Sequence, residues 1–193
     1  MAHPDDEIIW CGGLMLSRPD WRWTVLSLSR ADDGDRCPKF KSVCSLLGVT
    51  GHISLLDDSN PPKHIDCKRD IGKRILSCLG SGPVDLCVTH GANGEYGHLR
   101  HKQVHRQVLE LVSKGLLVCS ELWTFAYDCD AETGKCAPAA GADVLIELTD
   151  RQLEEKKRII QREYGYGPNS FEVRACVTPE AFGSRKITIQ EME

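Results

Sequence analysis

Apolar and polar positions along this chain alternate between two periods. A helical pattern runs from Asp6 to about Leu16, with Ile9, Gly12, Gly13 and Leu16 facing inward. Adjacent glycines cost helix propensity, so they predict close approach to a neighbouring element. The β-rich run Trp23–Ser29 reads as a strand. Phe40, Val43, Cys44 and Leu47 then share one helical face, closed by Gly48. The pattern repeats: a strand at 52–56, a helix from about Ile65 to Leu79 ending at Gly80, a strand at 84–89, the loop 90–97, and a helix from His98 to about Ser113. Leu122–Tyr127 and Ala142–Leu148 read as strands around a loop or hairpin at 128–141. Thr149 and Gln152 form a capping-box pattern that opens a charged helix ending at Gly165. Beyond Pro168 the pattern is weak.

Strands alternating with helices predict an α/β domain with a mostly parallel sheet, right-handed crossovers and helices on both faces. Ala2 and His3 read as the tail of a first strand that has almost no residues ahead of it, so that strand is expected to be truncated. The polar segments 3–6, 30–36, 57–60 and 90–98 all follow strands. In an open α/β sheet they gather at the carboxyl edge, where ligands bind.

Length sets the frame: 193 residues make one domain, with a core over about 1–165 and a weakly patterned tail, 166–193. A net charge of −4 offers no electrostatic footprint for nucleic acid. No apolar run approaches the ~18 residues of a membrane span, and the acidic opening does not read as a signal peptide. The expectation is a cytoplasmic protein. Its ten cysteines form no C-x-x-C pair and read mainly as reduced core thiols. Cys129 and Cys136 alone bracket a Gly-containing loop that a disulfide could close.

Chemistry concentrates in two places. His3-Pro4-Asp5-Asp6-Glu7 packs an imidazole and three carboxylates into one turn of chain, with the acids on a first helical turn. Acids so close repel one another unless a cation sits among them, and nitrogen plus carboxylate oxygen suits Zn²⁺ or Fe²⁺. The plain alternative is an acidic helix start with an incidental histidine. The second place is the run from His98 to His105, with imidazoles at 98, 101 and 105 on the face that Val104, Val108, Leu111 and Val112 continue. His105 lies deepest in that stripe and reads as core. His98 and His101, facing His3 and Asp6, would complete a three-ligand site with open positions. Tyr96 on its Gly-flanked loop can bond a substrate oxygen or be a surface aromatic. Arg36 can offer a fork to a hydroxylated or phosphorylated substrate or be a solvated charge. His90 reads as core in preference to a backing partner.

Ala2-His-Pro-Asp-Asp-Glu7 at a strand end, with Gly97-His98-x-x-His101 some ninety residues on, resembles the PIG-L/LmbE-like N-deacetylases over about Ala2–Gly165. The resemblance implies a Rossmann-like three-layer domain holding one divalent metal, usually zinc, and removal of an N-acetyl group from an amino-sugar conjugate. It implies metal ligands His3, Asp6 and His101, a general base at Asp5, and an oxyanion-stabilising, protonated His98. It further implies a mobile Tyr96 and a substrate-binding Arg36. The implied partner is a small N-acetylated sugar conjugate. The little sequence that follows the core leads to the expectation of a fairly open site that a homo-oligomer could complete. Leu99-Arg100 stands where the family often has Pro-Asp. The alternative function is a catalytically impaired metal- or sugar-binding relative. A nucleotide-binding domain is disfavoured because no G-x-G-x-x-G follows a strand.

Overall fold

The computed structural model describes residues 1–59, 63–79 and 82–187. The chain runs α1 (Asp6–Ser17), β1 (Thr24–Ser29), α2 (Arg36–Leu47), β2 (Thr50–Leu56), α3 (Lys73–Leu79), β3 (Val84–Thr89), a short α4 (Gly94–Gly97) and α5 (Leu99–Ser113). It continues with β4 (Cys119–Phe125), β5 (Tyr127–Cys129), β6 (Cys136–Pro138), β7 (Val144–Ile146), α6 (Asp150–Arg162), α7 (Phe171–Arg174) and β8 (Glu180–Lys186). Gly48, at φ +68°, ends α2, and both capping-box hydrogen bonds open α6. The helix expected from Ile65 is shorter: a π-helical turn, Lys68–Gly72, precedes α3. Gly80, its expected end, and residues 60–62 lie outside the described residues.

This is a mixed α/β fold. β1 pairs with β2 and β3 with β4 in parallel, while β8 runs antiparallel between β4 and β7. Buried side chains form two clusters. One joins Ile8, Leu14, Phe40, Ile159 and Phe182 from α1, α2, α6 and β8. The other joins Leu28, Ile75, Val108, Leu111 and Leu122 from β1, α3, α5 and β4. Two clusters with strands shared among them are what helices on both faces of a sheet produce.

The opening of the chain sits between β1 and β3. The Leu28 and Ser29 N–H groups donate to the Met1 and Ala2 carbonyls at 3.0 and 3.1 Å, and the Ala2 N–H donates to His90 Nε2 at 2.9 Å. Among the described residues no ladder otherwise joins the β1–β2 pair to the four-stranded sheet. Leu86, Cys87 and Val88 of β3 are correspondingly only half-buried.

Residues of the weakly patterned tail are integral to the sheet. The β8 sequence Glu-Ala-Phe-Gly-Ser-Arg-Lys hides its strand character because it starts with a charge and carries a central glycine. That charge, Glu180, is fully buried and bonded to Lys156 Nζ at 2.7 Å. It also accepts the Gly13 and Leu14 N–H groups at 2.7 Å each, clamping α1 to α6 and β8. α1 is consequently buried all round from Asp6 to Met15, more than its one-sided pattern predicts, with Leu16 half-buried. A Cβ at Gly13 would lie 2.4 Å from Leu148 Cδ2, the close approach its glycine anticipated.

The second buried clamp is Glu7, which accepts from the Tyr164 hydroxyl and from the Asp5 N–H at 3.0 Å. Burial pushes the Glu7 carboxyl up to about 7, against the opposing hydrogen bonds.

The Cys129–Cys136 disulfide is formed and closes the β5–β6 hairpin; the other eight cysteines are free thiols. No helix of the described residues is long and apolar enough to cross a membrane.

Two stability predictions follow from these clamps. Lys156→Met strands the Glu180 charge and should cost about 3–5 kcal/mol in urea unfolding, part of which Lys156→Met/Glu180→Gln restores. Glu7 holds its proton more tightly folded than unfolded, so chelator-treated protein should lose up to ~3 kcal/mol of stability as pH rises from about 4.5 to 7. Glu7→Gln, which mimics the protonated acid, should flatten that slope.

Candidate metal and hydrolytic site

Four loops at the carboxyl edge converge on the first helix start. Asp5 does not join the first turn of α1, as its sequence suggested. It precedes the helix at φ +103°, in the left-handed region, and caps nothing with its side chain. That backbone is strained for a non-glycine residue and frees the carboxylate to face the cavity. There Asp5 Oδ2 accepts from the Tyr166 hydroxyl and from Arg36 Nη1 at 3.2 Å. Arg36 stacks on the Tyr166 ring, 4.6 Å from its centroid. Burial and the Asp6 charge raise the Asp5 carboxyl well above the usual range.

Asp6 and the two imidazoles form the centre. His3 Nδ1 lies 3.3 Å from Asp6 Oδ2, His101 Nε2 lies 3.5 Å from Asp6 Oδ1, and the two ring nitrogens are 3.2 Å apart. Donors bonded tetrahedrally at 2.0–2.1 Å to one zinc ion are separated by about 3.3 Å, so this trio fits a small divalent cation. Trp10 Nε1 and the His3 N–H fix the Asp6 carboxylate at 3.0 and 2.8 Å. Although burial opposes it, His101 and His90 hold Asp6 well below the usual carboxylate range.

Each imidazole of the trio is backed by an acid on its far nitrogen. His3 Nε2 donates to Asp58 Oδ1 at 3.0 Å, and Asp58 in turn takes both Nε and Nη2 of Arg30 at 2.9 and 2.6 Å. His101 Nδ1 donates to the buried Glu95, which also accepts from His90 Nδ1 at 3.0 Å and the Gly91 N–H at 2.7 Å. Such pairs fix tautomer and ring orientation, turning the lone pairs of His3 Nδ1 and His101 Nε2 toward Asp6.

Charge follows the same lines. Burial drops the His101 imidazole to about 4, leaving it neutral, whereas Asp58 and Asp6 overcome burial to lift His3 to about 10. Glu95, despite its burial, is held at about 2 by His90 and His101. The acids thus demand positive charge at the trio, which a proton on His3 or a divalent ion can supply.

His98 caps α5 with extended backbone (φ −61°, ψ 127°) and lies edge-on to His3, ring centroids 4.8 Å apart. Its Nδ1 is buried and has no hydrogen-bond partner. Burial and the neighbouring His3 push His98 below 6.5, favouring a neutral imidazole over the protonated one the resemblance implied. Arg100, in place of an acid, binds Asp57 and the Lys63 carbonyl. Tyr96 packs 4.8 Å from Phe171 and 5.4 Å from His101. A cavity of about 200 Å³ opens here, lined by His3, Asp5, Asp6, Arg36 and Tyr96 with Trp10 and Glu172.

Of the seven residues singled out from the sequence, His3, Asp5, Asp6, Arg36 and Tyr96 line this cavity, while His101 and His98 lie behind its wall in contact with His3. His105 donates to the His90 carbonyl at 2.8 Å, a structural contact. His90 is buried as expected, yet it is more than core filling: it stacks on His101 at 3.9 Å and lies 3.4 Å from Asp6. Sequence reasoning missed Glu95, Asp58, Arg30, Tyr164 and Tyr166. Glu95 sits at φ +57° in a four-residue helix, and Asp58 and Arg30 are single loop residues with no spacing to mark them. The two Gly-flanked tyrosines after α6 were the one usable signal.

No family model matches the chain. By sequence it is similar to an uncharacterized protein of Acanthamoeba polyphaga mimivirus, 21% identical over 86% of this chain and 74% of the relative. It is also similar to two proteins named 1D-myo-inositol 2-acetamido-2-deoxy-alpha-D-glucopyranoside deacetylase. That of Corynebacterium diphtheriae is 25% identical over 70% of this chain, and that of Actinosynnema mirum 22% identical over 77%. The chain spans 58% and 63% of those two proteins, less than two thirds of their length. Among solved structures, GalB, the 4-carboxy-2-hydroxymuconate hydratase of Pseudomonas putida, superposes with TM-score 0.62 and 12% identity over 97% of this chain and 93% of its own. The pseudoaglycone deacetylase Dbv21 superposes with TM-score 0.57 and 16% identity over 94% and 92%. These likenesses establish a Rossmann-like α/β fold that carries both a hydratase and a deacetylase, and they add a distant sequence kinship with amino-sugar deacetylases.

Proposed function

We propose that this protein is a metal-dependent N-deacetylase of an amino-sugar conjugate, related to the PIG-L/LmbE-like enzymes. The observation that carries the reading is the trio His3, Asp6 and His101, with the two ring nitrogens 3.2 Å apart and each 3.3–3.5 Å from one oxygen of the Asp6 carboxylate, and a second carboxylate, Asp5, beside it in the chain. The sequence kinship with deacetylases tips the choice away from a hydratase on the same fold. His3, Asp6 and His101 would hold the ion, zinc or Fe²⁺, with Glu95 and Asp58 orienting the two imidazoles. When bound, it would lower the pKa of a water and polarise the acyl carbonyl.

Asp5 then takes the proton of the attacking water. Its raised pKa suits a base that must later give that proton back. Tyr166 and Arg36 hold its carboxylate in place. His98 donates one N–H to the oxyanion of the tetrahedral intermediate, a role open to a neutral imidazole. Tyr96, on the same wall, offers a second donor. Asp5 returns the proton to the amine as the C–N bond breaks, releasing acetate and a free amino sugar. Against the impaired-relative alternative stands the complement of groups: His3, Asp6 and Asp5 line one cavity, and His101 and His98 pack against His3 at its edge.

Metal analysis of the purified protein should find about one divalent ion per chain, and acetate release from N-acetylated sugar glycosides should stop on chelation. Asp5→Asn should retain the ion and lose turnover by about 10²–10⁴-fold. His101→Ala should lose both ion and turnover. Undiminished activity in Asp5→Asn would refute the assignment of the base.

A further inference from the structure

Resting on the deacetylase reading, we propose that Phe171 and Glu172 form the sugar-facing platform of the cavity and select neutral or cationic, hydroxyl-rich sugars over phosphorylated or carboxylated ones.

The argument begins with charge. The cavity is lined by four acids, Asp5, Asp6, Asp58 and Glu172, and by Arg30, Arg36 and His3. Arg30 is spent on Asp58, Arg36 on Asp5, and His3 on Asp6 and Asp58. Neither arginine is left as an uncompensated cation for an anionic substrate. Glu172 alone among the four acids has a carboxylate with no ion pair or hydrogen bond among the described residues. Its charge reaches the cavity: together with burial and the site acids it pushes the phenols of Tyr96 and Tyr166 up. A free carboxylate offers two oxygens that accept only, so it rewards hydroxyl or ammonium donors and repels phosphate.

Shape points the same way. Phe171, next to Glu172, meets Tyr96 edge-on at 4.8 Å and leaves an apolar ring beside the acid. A sugar has this division of surface, C–H groups on its faces and hydroxyls at its rim. The platform is buttressed from behind by the disulfide-closed hairpin. A Cβ at Gly134 would lie 3.2 Å from Phe171 Cα and from its ring, so the turn packs directly on Phe171.

The test compares N,N′-diacetylchitobiose with N-acetylglucosamine 6-phosphate on the metal-loaded protein. The neutral sugar should be favoured at least about tenfold in kcat/KM. Glu172→Gln should raise KM for it about tenfold with a smaller effect on kcat, as the loss of hydrogen bonds to a charged group requires. Glu172→Lys should shift preference toward the phosphorylated sugar. Calorimetric titration of the same two sugars into Asp5→Asn protein reads binding without turnover. Equal handling of both sugars, or unchanged KM and affinity in Glu172→Gln, overturns the platform while leaving deacetylation intact. Absence of acetate release, with neutral-sugar binding that still depends on Glu172, overturns deacetylation and upholds the platform.

Discussion

Everything at the working edge of this molecule is subject to one constraint: carboxylates taken out of water must be matched by positive charge or by donors. Asp5, Asp6, Glu7 and Glu95 are all buried within a short radius of one helix start. Such a concentration is tolerable because each has a defined partner. Asp6 is matched by imidazoles and an indole N–H, Asp5 by a guanidinium and a phenol, Glu7 by a second phenol, Glu95 by two imidazoles and a backbone N–H. Where the matching is strongest, the acid is pinned in its ionised form. At Asp5, where burial and the neighbouring Asp6 charge outweigh the matching, the carboxyl is held well above the usual range and takes up a proton more readily. Division of labour among neighbouring acids is thus a product of their surroundings and not of their side-chain type.

The same constraint explains why the fold grips α1 so firmly. An exposed helix would surrender its first turn to solvent, and the acids there would relax to ordinary behaviour. Here Glu180 and Lys156 hold the middle of α1, and Tyr164 holds its beginning through Glu7. Packing on every side keeps the acids of this helix start buried, which strengthens each electrostatic contact among them. Lys156, Tyr164 and Glu180 lie far along the chain from the helix start that they hold.

Much of this was legible in the chain. Period changes marked the strands and helices up to α5, the capping box marked α6, and the two clusters of imidazoles and acids marked residues that the fold brings together. What escaped has a common cause: information carried by single residues whose partners lie elsewhere. Glu95 looks like a loop acid, and only the approach of His90 and His101 makes it the hub of the second motif. Asp58 looks like half of a polar pair until His3 and Arg30 close on it. The β8 segment looks like tail because its leading charge is solvated in an extended chain and buried only against Lys156. Asp5 looks helical, since nothing local announces that its backbone will turn the other way. Periodicity records how a segment meets water; it is silent about which distant segment will replace that water.

Met1 and Ala2 lace the β1–β2 pair to the rest of the sheet, and the next residue is His3. The lacing and the imidazole proposed to hold the ion therefore share one stretch of three residues. Any fluctuation that lets the two parts of the sheet part company tugs directly on the imidazole. On the proposed reading, local opening at this lacing would also displace a ligand, so the scaffold and the chemistry would come apart together.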